Sequence, residues 1–498
     1  MDKPTPIFYN ALLLTAVNLL LRMVGTSFQV YISRQMGAAG VGLLQLTMSV
    51  GSLALVTGMA GVRTATMYLT AGALGRKRPG QVRWILSACV HYSLLFSGTV
   101  AVMLYGFSGP MAKLWIQQPQ TSDALKLLAL FLPVTCLCGV MSGYFTAANR
   151  IRTLAAVEVA EQLLSMGITM ATLILWARDH SGRACQSVIL GSGAGACLTL
   201  LCLLLLRLRE PSPEEPSAPV YRQLLDTALP LGAADVLKSG INTAENLMVP
   251  RRLSLNASIT SPLAAFGALS GMVFPVVMFP ACILFALAEL LIPELSRCAA
   301  AESRGRIRYL TRTGLGISIL YGSFFSGGIC LLAEPLCLAL YGSTEAVSQM
   351  RLYSLLIPML YCDCIVDAMT KGLGQQKICV RYNIITSTLD VIFLYFLLPK
   401  YGMAGYFLSF TLTHMLNFFL SIRRLILITG ESFAFRVPLM ALVTMAAALL
   451  GAGTFTHPIM QLLAYCAILF SLWTISGIVS IGTLNWVRGL IYRTAIKT

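Results

Sequence analysis

Residues 12–33 read LLLTAVNLLLRMVGTSFQVYIS, an apolar run broken by one arginine and a few hydroxyls and amides. A hydrocarbon core about 30 Å thick takes about 20 apolar residues as a helix, so this stretch predicts a membrane crossing. Its polar residues are ordered. Asn18, Arg22, Thr26, Gln29 and Ser33 recur every three or four positions, which on a helix gathers them on one face. A polar stripe of that length faces a packed interior or a water-filled cavity, not lipid. The preceding residues lack a small-residue cleavage site and the apolar run is too long for a signal peptide, so the segment is expected to be retained as the first span.

The same ruler predicts about fourteen spans along the chain. They lie near 8–31, 40–63, 84–106, 124–146, 153–177, 186–206, 223–249, 263–292, 313–333, 351–370, 381–399, 402–422, 436–454 and 459–482. Composition agrees: 57% of the 498 residues are hydrophobic and only 11% charged, against about 25% charged in a soluble domain. An ordinary soluble enzyme is excluded. The expected class is an all-α polytopic membrane protein, because lipid offers free backbone N–H and C=O groups no partner. The net charge of +16 does not imply nucleic acid, since the Lys and Arg residues sit between long apolar runs. They alternate instead as loops of a membrane protein do. One side holds Arg76–Arg83, Arg207–Arg222 and Arg297–Arg312, while loops on the other side hold Arg34, Lys113 or Lys400. Both termini are thereby expected in the cytoplasm.

The most polar break is RLREPSPEEPSAPVYR at 207–222, a Pro-rich linker by composition. It divides the chain into an N-terminal six-helix lobe, 1–206, and a C-terminal six-helix lobe, 223–424, with two further helices and a cytoplasmic tail in 425–498. Each half opens on a helix with a polar stripe and continues to a helix bearing a charge at its inner end, Arg63 and Glu289. Both halves start on the same side, so the repeat is parallel, which puts a substrate site between them near the midplane.

Charges inside the spans are the candidate functional residues, since one at the bilayer centre costs about 2.5–3.5 kcal/mol on the insertion scale. The substrate-binding candidates are Arg22, Asn18 and Gln29 in the first span, Arg63 in the second, and Lys238, Asn242 and Glu245 in the seventh. Asp235 lies one turn before Lys238, placed to neutralise it, and Pro230 and Gly240 lower that helix's rigidity. Ion-coupling candidates are Glu158 and Glu161 on one face of the fifth span, Asp363 and Asp367 on one face of the tenth, Asp390 in the eleventh, and Asp235. Close carboxylates in a low dielectric carry a proton or hold a cation. His91 and His414 are isolated and read as helix-packing residues.

Other chemistries find no support. There is no GxxxxGK[ST] loop for a nucleotide-driven pump and no HExxH, and GAAGVG at 37–42 falls in a turn between spans rather than after a strand. Most of the 14 cysteines lie inside apolar stretches and read as small buried hydrophobes; Cys185 is expected in an outer loop. Cys136/Cys138 and Cys362/Cys364 point apart on their helices, so no metal site is expected. Asn256–Ser258 matches a glycosylation sequon, a weak pattern on its own.

The stretch LLLTAVNLLLRMVGTSFQVYISRQMGAAGVGLLQL at 12–46 resembles the opening of the stage V sporulation protein B and polysaccharide-exporter group of the multidrug/oligosaccharidyl-lipid/polysaccharide superfamily. So do GMAGVRTATMYL at 58–69, ENLMVPRRL at 245–253 and ALAELLIPELS at 286–296. The resemblance implies a V-shaped pair of six-helix bundles, alternating access, and flipping of a lipid-linked saccharide or peptidoglycan precursor across a bacterial plasma membrane. On it, Arg22 and Arg63 match cavity arginines of the related lipid II flippases, and Lys238 is an approximate counterpart of a basic residue in the second half. It implies no cofactor, coupling to membrane potential, H⁺ or Na⁺, and a monomer whose partners are its lipid-linked substrate and membrane lipids. Two other readings stand beside it: a cation-coupled multidrug antiporter, disfavoured by an arginine rather than an acid in the first span, and a non-transporting scaffold in envelope assembly, disfavoured by the inward polar stripes.

Overall fold

The computed structural model describes residues 5–76, 78, 80–176, 181–208, 220–430 and 436–477, and these are helical almost throughout. Most of the linker at 207–222 and the tail beyond 477 lie outside the described residues, as does the Asn18 side chain. The helices are α1 (Thr5–Met59), α2 (Val62–Gly75), α3 (Gln81–Pro110), α4 (Ser122–Ala147), α5 (Ile151–Trp176) and α6 (Ser181–Leu208). They continue with α7 (Val220–Leu253), α8 (Pro262–Ala268), α9 (Phe274–Met278), α10 (Ala281–Ala300), α11 (Arg304–Leu331) and α12 (Ala333–Tyr341). The last are α13 (Val347–Ser354), α14 (Ile357–Gly372), α15 (Gln376–Thr429), α16 (Arg436–Ala452) and α17 (Pro458–Ile475).

The two longest helices are each interrupted by a glycine that no L side chain would readily replace. Gly37 (φ 67°, ψ 174°) breaks α1 and Gly402 (φ 57°, ψ −133°) breaks α15, both in the region glycine enters freely. The GAAGVG turn is therefore a turn, as its position between spans implied.

Among the described residues, eight segments are long and apolar enough to cross a membrane, or ten when the bent pairs Pro262–Met278 with Ala281–Ala300 (63°) and Val347–Ser354 with Ile357–Gly372 (54°) each count once. That is fewer than the fourteen read from hydropathy, for three physical reasons. Two segments, Leu19–Gly75 and Gln376–Thr429, run through a break and are 57 and 54 residues long. The charged stripe of α7 lowers its mean hydropathy, and Val437–Ala452 is short.

The chain divides into two compact units. The first holds the described residues to Gly271 together with Ser387–Tyr406, and the second holds Met272–Thr386 and the residues from Phe407 onward. In the first, α5 lies along α6, α4 packs on α3 and α6, and α7 packs on α1 and α2. Between lipid-immersed helices the hydrophobic effect offers little, so close contact depends on small residues. Gly42 meets the backbone at Leu263 and Gly267 the backbone at Ala38, drawing α8 against α1, where the Ser33 hydroxyl donates to the Gly271 carbonyl at 2.7 Å. In the second unit α11 is the hub, contacting α10, α13, α14, α16 and α17. The Tyr465 ring of α17 lies over Gly327 and its hydroxyl donates to the Ser323 carbonyl at 2.6 Å.

Buried hydroxyls are mostly satisfied within their own helix. Thr47, Thr66, Ser97 and Thr370 each donate to the carbonyl four residues back, an economical answer where water is scarce. Most of the cysteines are buried as expected, and Cys185, placed by its sequence in a loop, is instead a buried residue of α6. His91 and His414 bond the carbonyls of Ser87 and Phe410 one turn back.

Candidate functional site: a basic cavity beside a broken helix

The site begins with a fault in a helix. After Met59 the helix stops, Ala60 (φ 41°) and Gly61 (φ 75°) take left-handed conformations, and α2 resumes at Val62. Ala60 is a costly residue there, since a Cβ in that region is strained by roughly 1–2 kcal/mol. Its carbonyl is held by the Tyr92 hydroxyl at 3.1 Å.

The fault is also where α7 comes closest. A Cβ on Gly232 would meet the Ala60 carbonyl carbon at 2.5 Å, and one on Gly61 would run into the Ala228 carbonyl oxygen. Only glycines permit this backbone-to-backbone approach. Three turns along α7 the two helices touch again. There the Thr243 hydroxyl donates to the Ser49 carbonyl at 3.1 Å and the Asn246 amide to the Ser49 hydroxyl at 2.9 Å.

Between the two contacts the helices leave a cavity of about 330 Å³. One wall is Ser52, Val56, Met59, Gly61, Arg63 and Thr64; the other is Asp235, Lys238, Ser239 and Asn242. Spacing explains most of both walls: Ser52, Val56 and Met59 recur at four and three residues on α1, and Asp235, Lys238 and Asn242 at three and four on α7, while the Ala60–Gly61 fault brings Arg63 and Thr64 to the same space. Four residues singled out from the sequence, Arg63, Asp235, Lys238 and Asn242, thus line one space. Asp235 does not neutralise Lys238 as its spacing suggested. Among the described residues neither makes an ion pair within 4.0 Å, because side chains three apart on this exposed face extend separately into the cavity. Ser52, Thr64 and Ser239 were not singled out; their signal was their place on the same helical faces.

The remaining candidates lie elsewhere. Arg22 is exposed on α1 and is not among the cavity-lining residues. Gln29 is half-buried with its side-chain N–H group unpaired. Glu158 is in electrostatic contact with Arg63 from α5, whereas Glu161 accepts a hydrogen bond from Thr199 of α6 at 2.7 Å. Glu245 is in hydrogen-bond contact with the buried Asp390 of α15. In the second unit Asp363 accepts from the Asn417 amide at 3.2 Å and Asp367 pairs with Lys371. The two acid pairs read from spacing share a helix face and act on one another electrostatically, and each member also meets a further partner. A further carboxyl pair, Glu245 with Asp390, joins distant parts of the sequence.

Such a fold, helices throughout with charged cavity walls on apolar spans, is that of a multi-pass membrane protein. Residues 14–177 match the MatE family, and Stage V sporulation protein B of Bacillus subtilis (strain 168) is 21% identical over 408 residues, covering 80% of this chain and 79% of that one. A lipid II flippase MurJ in its inward closed conformation superposes with a TM-score of 0.72 at 13% identity, over 93% of this chain and 98% of the other. An inward-facing multidrug resistance MATE family transporter of the MOP superfamily superposes with a TM-score of 0.65 at 12% identity, over 84% and 99%. The MatE match spans residues 14–177, and the likeness to the solved transporters is one of fold: an all-α, multi-pass membrane architecture.

Proposed function

We propose that this protein is an alternating-access flippase that moves a prenyl-pyrophosphate-linked saccharide or peptidoglycan precursor across the bacterial plasma membrane. One observation carries the reading. Arg63 and Lys238 face one cavity from two elements, and among the described residues neither makes an ion pair within 4.0 Å, though Glu158 acts on Arg63 at longer range. A pyrophosphate leaving the headgroup layer loses its hydration, and fixed cations offset that loss through charge-assisted hydrogen bonds. Hydroxyls of Ser52, Thr64 and Ser239 add donors on the same walls. The likeness in fold to a lipid II flippase is in keeping with this substrate class.

Fourteen crossings with both termini inside remain the topology that best fits. At 1.5 Å per residue a 54-residue helix is about 80 Å long, so α1 with α2, and α15, each hold two crossings around Gly37 and Gly402. The two bent pairs, α7 and α16 complete the number. The boundary at 207–222 between six-helix lobes, with α16 and α17 added, belongs to the same reading.

Coupling is assigned to Glu245 and Asp390. Two carboxyl groups this close in a low dielectric do not readily both carry charge, which makes the pair a site where a proton or a monovalent cation exchanges. Arg22, Asn18 and Gln29 are taken to line the substrate path in a second state of the cycle.

A second reading, a multidrug antiporter, draws on Asp235, the acid in the cavity wall. Purified protein in vesicles separates the two. The expected result is flipping of a labelled prenyl-pyrophosphate saccharide and no ethidium movement. Ethidium movement without flipping establishes the antiporter instead.

A further inference from the structure

Helix α7 ends in Pro250-Arg251-Arg252, and the two arginines do the same thing to two different helices. The Arg252 guanidinium donates through Nε (3.1 Å) and Nη2 (2.9 Å) to the carbonyl of Tyr395. In a helix that carbonyl would accept from the residue four positions on, which is Pro399 and has no N–H. Arg251 donates through Nη2 at 2.7 Å to the carbonyl of Trp115, and four positions on from Trp115 stands Pro119. The chain has left its helix there, with Gln117 at φ 61° and Gln118 extended. Two adjacent arginines thus cap two carbonyls left without a helical partner, one on α15 by Pro399 and one at the π-helical end of α3 by the end of the helix.

The two ties differ in strength. Arg252 makes two bonds and also lies over the Tyr395 ring at 3.5 Å from its centroid, a favourable cation–π geometry. Asn256 adds another bond beside it, to the Pro399 carbonyl at 3.0 Å. Arg251 makes a single bond, and its Nε is buried without a partner. A buried donor left unpaired costs free energy, so Arg251 is incompletely satisfied in this conformation, and releasing it forfeits little.

We infer that Arg252 is a permanent brace fixing the end of α7 to α15, while Arg251 is a releasable latch between α7 and α3 that holds one end of the cavity shut. The latch sits nine residues beyond Asn242, about 14 Å along the helix, beyond the Ser49 contacts at the same end of the cavity, which it reinforces. The role in transport rests on the alternating-access reading above; the latch itself does not. On the charge bias of the loops, this is the outer end.

Hydrogen–deuterium exchange of the full-length protein in nanodiscs tests the latch without any substrate. Arg251→Ala is expected to speed exchange about tenfold in 111–121 and to leave 392–404 unchanged, while Arg251→Lys restores protection in part. Arg252→Ala is expected to speed exchange in 392–404 and to lower the melting temperature. Unchanged exchange at 111–121 in Arg251→Ala overturns the latch, as does a loss of protection equal in both segments. Vesicle flipping is then measured on the same variant. A changed rate supports the gating role, and a wild-type rate with 111–121 loosened overturns it. Wild-type protein that flips no prenyl-pyrophosphate lipid refutes the proposed substrate, and the exchange data still decide the latch.

Discussion

Two glycines on α7 make a matched test of how the cavity is built. At Gly232 an added Cβ would lie 2.5 Å from the carbonyl carbon and 2.8 Å from the oxygen of Ala60, whereas at Gly240 it meets nothing within 4 Å. Both replacements by alanine gain the same helix propensity, about 0.8–1 kcal/mol. Only Gly232→Ala forces overlap, and the atom it strikes is backbone that cannot rotate away; overpacking of this kind costs about 1–3 kcal/mol. The substitutions are therefore expected to differ by about that amount, with Gly240→Ala neutral or stabilising and Gly232→Ala destabilising. The helix separation would also grow by several tenths of an ångström at the Ala60–Gly61 break, shifting Lys238 relative to Arg63. Thermal unfolding of both variants in nanodiscs, followed by flipping, reads the difference. Equal melting temperatures and equal rates would refute the claim that this glycine contact sets the cavity.

Glu245→Gln and Asp390→Asn should each abolish flipping driven by an ion gradient while retaining exchange at equilibrium, since an amide cannot take up and release the proton of the carboxyl pair; gradient-driven flipping at the wild-type rate by either would remove the pair from coupling. Tyr465→Phe removes the 2.6 Å bond to the Ser323 carbonyl and should destabilise the docking of α17 on α11 by about 0.5–1.5 kcal/mol, visible as earlier proteolysis of α16 and α17 with flipping preserved.

How much of this was legible in the sequence follows from whether a feature depends on local spacing or on distant contact. The spans, their polar stripes and the turn at Gly37 are local, and hydropathy with helical periodicity exposes them. Arg63, Lys238 and Asn242 were each visible as charged or polar groups in apolar runs. Their convergence was not, because it depends on the Ala60–Gly61 break and on Gly232, and an isolated glycine in a helical pattern announces nothing. The carboxylates show the same limit from the other side. Spacing suggested Glu158 with Glu161 and Asp363 with Asp367; these neighbours do act on one another, but three of the four also reach to other helices, at Arg63, Thr199 and Asn417, while Asp367 pairs with Lys371 one turn on. The Glu245–Asp390 contact joins residues that no periodicity relates. Asp235 was misread for a similar reason: a three-residue spacing permits an ion pair, while an open cavity lets both side chains extend away from each other.

The most direct test of the account is the affinity of the nanodisc-embedded protein for a prenyl pyrophosphate, measured for wild type, Arg63→Gln, Lys238→Gln and the double variant. Each lost charge-assisted bond is worth about 1.5–3 kcal/mol, so each single variant is expected to bind at least tenfold more weakly. The double variant should lose less than the sum, because both cations address one group. Wild-type affinity in both single variants, with folding intact, would contradict the assignment of this cavity to the pyrophosphate.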